Sequence, residues 1–239
     1  ALKSWISVQA AILLATTTNF PDLMLAMRAV RIPRLLVSIF GLMWRYLFVL
    51  ADEVIYDTGR RVRLEYLVPP GSVEGARVPM QILKESVLWI KQTQDYEYTG
   101  DTYRTICMSK SNFGGMENVG NTTIVTDAAL IDRHTLDPSL LYAHAVIVHE
   151  FEHNQCGSET TMETPFDVWL NEAYTVDVER QFMAGTFDPS FVRLTQVDSI
   201  RNPLLGPLTL EDSGRAGRIV REGFNDPDEL IDGVTYVKA

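Results

Sequence analysis

The chain has 239 residues and a formal charge of −10, long enough to bury a sizeable core in one or two domains. That charge argues against a nucleic-acid partner, because phosphate binding needs clustered Lys and Arg. It is unevenly spread: residues 1–53 hold five basic against three acidic side chains, so the remainder carries −12. Two cysteines, Cys107 and Cys156, make no disulfide framework and point to a reducing compartment.

In chain order, the first piece is apolar. "WISVQAAILLATTT" and "LLVSIFGLMWRYLFVLA" read as hydrophobic helices, joined by an amphipathic "NFPDLMLAMRAVRIPR". Leu35 to Ala51 is 17 residues, at the lower limit for a membrane span, with Arg45 inside it. A buried helical hairpin of a soluble protein is the competing reading. The stretch "FPDLMLAMRAVRIPRLLVSIFGLMWRYLFVLADE" resembles part of the transmembrane T component of energy-coupling-factor (cobalt or vitamin) transporters. That family carries a similar Asp-Leu…Ala-Leu-Arg…Pro-Arg-Leu run, followed by an Arg-Tyr pair, here Arg45 and Tyr46. Its other helices and its Ala-Arg-Gly coupling signature are absent, which argues against a working transporter. Residues 1–53 are therefore expected to form a membrane-embedded helical segment, with residues 54–239 as a separate domain on the cytoplasmic side.

Near Val54 the composition changes. "TGRRVRLEYLVPPG" alternates apolar and polar residues before a Pro-Pro-Gly turn, which predicts a strand. "VPMQILKESVLWIKQT" spaces Ile82, Leu83, Val87 and Ile90 as a helix would, and "TYRTICMSKS" returns to strand character. Strands first and helices later predict an α+β domain.

"DPSLLYAHAVIVHEFEHNQCG" is bracketed as a helix by Asp137 as cap, Pro138 in the first turn and Gly157 at the end. Positions i and i+4 of a helix lie about 40° apart, so His149 and His153 project side by side, as two nitrogens of a tetrahedral zinc require. Glu150, about 100° from His149, can hold a water without being a ligand. A third ligand is expected from a second helix, "TPFDVWLNEAYTVDVERQFMAG", bounded by Thr164, Pro165, Asp167 and Gly185. It carries Glu172, with 18 residues between it and His153. Two His and one Glu leave the fourth position open, the pattern of catalytic zinc. Cys156 lies toward the ligand face but against the helix end and is not expected to bind metal. His134 and His144 read as ordinary surface or core residues.

The His-Glu-x-x-His run, the 18-residue spacing and Glu172 within "LNEAYT" resemble the M1 family of zinc aminopeptidases. "GGMEN", Gly114 to Asn118, matches that family's Gly-x-Met-Glu-Asn motif, and "GVTYVKA" matches its Tyr-x-Lys-Gly-Ala segment without the glycine after Lys238. The resemblance implies a thermolysin-like α+β fold and one Zn2+ per chain on His149, His153 and Glu172. It makes Glu150 the base and Tyr236 the donor to the oxyanion. Glu117 would take the α-amine of peptides with a free N-terminus, while Gly114 and Gly115 present backbone groups and Met116 and Asn118 complete the motif. By the same comparison, the β-rich domain that precedes this one in the family is replaced by the apolar helices, and the helical half that follows Tyr236 is not expected. Two rival readings remain: an inactive zinc- or peptide-binding remnant, and a membrane transport or coupling fragment with a passenger domain.

Overall fold

The computed structural model describes residues 9, 14, 17–45, 48–201, 217–224 and 226–239, and two short helices, Phe20–Ala29 and Arg34–Arg45, lead into its sheet. Helix α1 (Phe20–Ala29) begins where the Asn19 side chain accepts from the Asp22 amide and Pro21 occupies the first turn. After it Arg31 takes a left-handed conformation, φ 60°, which reverses the chain into helix α2 (Arg34–Arg45). The expected span from Leu35 to Ala51 is therefore divided. Helix α2 stops at Arg45, and the residues from Phe48 onward belong to strand β1 (Phe48–Ile55). Among the described residues no helix is long and apolar enough to cross a membrane. The first apolar run, Trp5 to Thr18, lies largely outside the described residues.

Strand β1 pairs antiparallel with β2 (Arg61–Val68), from Phe48 opposite Val68 to Ile55 opposite Arg61. Gly59, at φ +83°, takes the left-handed position of the connecting loop, a conformation that costs glycine nothing. The alternation expected of β2 is present: Val62, Leu64, Tyr66 and Val68 are fully buried. Helix α3 (Arg77–Gln94) then crosses to β3 (Thr102–Met108), which runs parallel to β2. Strands β4 (Gly115–Met116) and β5 (Asn121–Val125) complete a mixed five-stranded sheet of order β1-β2-β3-β5-β4, with β4 at one edge. The strand, helix and strand expected from residues 58–111 are present in that order, and the helix supplies the crossover that two parallel neighbours need.

Helices α4 (Thr126–Ala129), α5 (Asp137–Glu152), α6 (Val168–Thr186) and α7 (Pro189–Arg201) follow. Both α3 and α5 contribute to the core that the sheet buries, through Leu83, Val87 and Ile90 on one and Ile147, Val148 and Phe151 on the other. Phe151 is wedged among Tyr96, Tyr98 and Tyr103, with ring centroids 5.2 to 6.5 Å apart. It lies about 200° around the helix from His149 and His153, so burying it aims both histidines away from the sheet. Removing such a ring from water contributes about 2–3 kcal/mol to that orientation.

The helix boundaries differ in detail from expectation. Leu136, not Asp137, occupies the cap of α5, and Asp137 instead brings its carboxylate to the first turn, where the helix dipole favours it. The helix ends at Glu152, with His153 at the C-cap and Gly157 beyond it at φ +138°. The capping box of Thr164 and Asp167 is present, but on the 3-10 turn Pro165–Asp167 that leads into α6, and Gly185 lies within the last turn of that helix.

Candidate metal centre and cleft

Helices α5 and α6 pack against each other, and their facing sides carry the expected ligands. His149 Nε2 and His153 Nε2 are 3.1 Å apart, and Glu172 Oε2 lies 3.4 Å from the first and 3.5 Å from the second. A tetrahedral ion with bonds of about 2.0–2.1 Å separates its donors by about 3.3–3.4 Å, so the triangle has the size that zinc requires. Glu172 Oε2 is buried and makes no hydrogen bond, an acceptor that fits a cation. The donor set, two imidazoles and one carboxylate, suits zinc by chemistry as well as size.

Each imidazole is oriented through its other nitrogen. His149 Nδ1 lies 3.2 Å from Glu179 Oε2, and His153 Nδ1 lies 2.9 Å from the Cys156 carbonyl and 3.3 Å from Thr175 Oγ1. A proton held at Nδ1 in this way leaves Nε2 to face the centre. Cys156 thus serves the site through its backbone rather than its thiol. His144 is buried, with Nδ1 2.8 Å from the Leu140 carbonyl, and His134 is exposed, as expected for residues outside the site.

The electrostatics follow from burying several charges together. Burial opposes charge on His149, but the nearby carboxylates of Glu172 and Glu179 outweigh it and raise the imidazole to about 10. Burial pushes the Glu172 carboxyl up, yet the two histidines bring it down to about 2. A cation entering here therefore competes with protons for the histidine pair. Burial raises Glu150 to about 7, only partly opposed by His149 and His153. Burial also raises the Tyr236 phenol, reinforced by the carboxylates of Glu172, Glu117 and Glu150, which keeps it a hydrogen-bond donor.

A cavity of about 450 Å3 opens beside the ligands and is lined by Gly114, Gly115, Met116, Glu117, Glu150 and Tyr236 together with the three ligands. Glu150 is 6 % exposed and its carboxyl lies against Gly115. At Gly114 a Cβ would collide with the Tyr142 hydroxyl, so a side chain there would force the Tyr142 ring to shift. Asn118 is not among the lining residues. It is exposed, and its carbonyl accepts from the Asn121 amide in the turn before β5. Tyr236 arrives on a π-helical turn, Val234–Lys238. Asp232 caps that turn, accepting from the Val234 and Thr235 amides while pairing with Arg221.

Glu179 and Thr175 were missed in the sequence. With Glu172 they sit at i, i+3 and i+7, one face of α6, and that spacing was the available signal.

A mixed sheet thus carries two helices that bring two imidazoles and a carboxylate together beside a carboxyl-lined cleft. The peptidase family M1 domain matches residues 78–239, more than half of the sequence, and the chain belongs to that family. Residues 1–61 match the cobalt transport protein family. Aminopeptidase N of Caulobacter vibrioides is 30 % identical over 164 residues, covering 68 % of this chain and 19 % of that protein. Aminopeptidase N of Escherichia coli is 30 % identical over 154 residues, 64 % of this chain and 18 % of that one. Among solved structures, Legionella pneumophila aminopeptidase A in complex with aspartic acid superposes with a TM-score of 0.69 at 21 % identity, covering 80 % of this chain and 21 % of that one. The chain thus spans about a fifth of the length of these relatives.

Proposed function

We propose that this chain carries the chemistry of a zinc aminopeptidase, removing the N-terminal residue of peptides. The observation that carries this reading is the 3.1, 3.4 and 3.5 Å donor triangle formed by His149, His153 and Glu172. A zinc ion held there would supply Lewis acidity to the scissile carbonyl and acidity to water. Glu150, raised to about 7 by burial, is poised to take a proton near neutral pH and return it to the leaving amine. Tyr236, held as a neutral phenol, donates to the oxygen that gains charge as the carbonyl is attacked. Among the described residues no strand lies beyond the edge strand β4, which leaves its outer side for an extended peptide to pair with. Glu117 lies at the same cleft and supplies the carboxylate that an N-terminal ammonium needs. We read residues 1–53 as a membrane contact, with the metal centre on the cytoplasmic side, consistent with Cys107 and Cys156 being joined by no disulfide.

The test is discrimination between free and N-acetylated peptides. Removing one partner of a partly desolvated charged pair costs on the order of 2–5 kcal/mol, so Glu117→Ala should lower kcat/KM for free peptides roughly 30- to several-thousand-fold. Acetylated peptides should be poor substrates of both proteins. Equal cleavage of free and blocked peptides by the unaltered chain would make it an endopeptidase.

A further inference from the structure

The α1–α2 hairpin contributes no residue to the cleft lining, yet it sets exposed apolar side chains, costly in water, beside a cluster of arginines. Leu25, Val30, Leu35, Leu36, Ile39 and Phe40 are all exposed, Leu35 to 72 %. Beside them Arg28, Arg31 and Arg34, also exposed, line a shared concavity of about 690 Å3 with Ile32, Pro33 and Ser38. Among the described residues, no carboxylate forms a salt bridge with any of the three guanidiniums. On α2 the apolar row Leu35–Ile39 follows the Arg34–Ser38 row by one residue, so the basic and apolar arcs adjoin.

Helix length decides how such a surface can be used. Ten and 12 residues make helices of about 15 and 18 Å, against a hydrocarbon core of about 30 Å. Neither can span, but both can lie along an interface, with arginines at the level of the phosphates and the apolar arc just below it. Charge narrows the choice of lipid. Residues 54–239 carry −12 and are repelled by an anionic surface, so attraction must come from the basic segment.

We propose that the α1–α2 hairpin docks flat on an anionic lipid surface, with Arg28, Arg31 and Arg34 on headgroup phosphates and Leu35, Leu36, Ile39 and Phe40 among the upper acyl chains. This rests on the reading of residues 1–53 as a membrane contact and adds the mode of binding, the lipid chemistry and the residues.

Flotation of the full chain with lipid vesicles tests it. Vesicles of phosphatidylcholine with one-third phosphatidylglycerol should carry the protein, pure phosphatidylcholine should carry far less, and raised salt should release it. Replacing all three arginines (Arg28→Gln, Arg31→Gln and Arg34→Gln) should weaken partitioning roughly a hundredfold, whereas the triple lysine replacement should retain most of it. Unchanged circular dichroism and zinc content show that each variant is folded. Equal binding to both vesicle types, or a glutamine variant that binds as the parent does, overturns phosphate recognition while leaving a membrane contact standing. Binding to neither vesicle overturns both.

Discussion

Glu179 and Glu152 show how carboxylates on adjoining helices play opposite roles. Glu179 is satisfied by His149 and fixes its ring, so Glu179→Ala should leave the ligands in place but loosen one of them. Zinc affinity should fall about 10- to 100-fold, measurable by competition with a chromogenic chelator. An unchanged affinity would mean that packing alone orients the ring. Glu152 is fully buried with neither oxygen hydrogen-bonded, and burial raises it to about 7. The folded state therefore holds this proton more tightly than the unfolded chain does. The stability it contributes is present below pH 4.5 and is lost as pH rises toward 7. Glu152→Gln, which cannot ionise, should gain on the parent protein by on the order of 1–3 kcal/mol between those limits. Thermal melts of both proteins at acid and neutral pH would reveal it. A difference in melting temperature that does not change with pH would count against it.

At the scale of elements, strand β1 carries a consequence for dissection. Its residues from Phe48 pair along the whole of β2, so a cut after residue 53 removes most of an edge strand and bares the backbone of β2. Deleting residues 1–47 should preserve the melting temperature and zinc content, whereas deleting 1–53 should lower the first and promote aggregation. Equal behaviour of the two deletions would mean that β1 adds little to the sheet. This strand also marks where sequence reading failed. Phe48, Val49 and Leu50 continue an apolar run that begins in α2, and nothing local separates them from a helix. Their strand conformation comes from pairing with β2, a tertiary cause. By contrast β2, α3 and β3 were legible, because alternation or helical spacing survives in each. The two histidines were legible because one helix sets their geometry. Glu172 was legible through its spacing within the second helix. Glu179 was not, since its value lies in facing His149 across two helices. Tyr236 was legible through resemblance alone, its π-helical turn depending on Asp232 and Arg221.

At the scale of the whole molecule, two surfaces divide the work proposed here. The sheet and helices α5 and α6 fix a metal centre, while the basic, apolar hairpin meets lipid. The first holds only if the site contains metal and Glu150 stands outside its coordination. Metal analysis of purified protein beside His153→Ala and Glu150→Gln measures this directly. The parent protein should contain about one zinc per chain, His153→Ala should lose most of it, and Glu150→Gln should keep it while losing turnover of an amino-acid amide. Equal zinc in the parent and His153→Ala, or loss of zinc from Glu150→Gln, would contradict the three-ligand centre and the role given to its base.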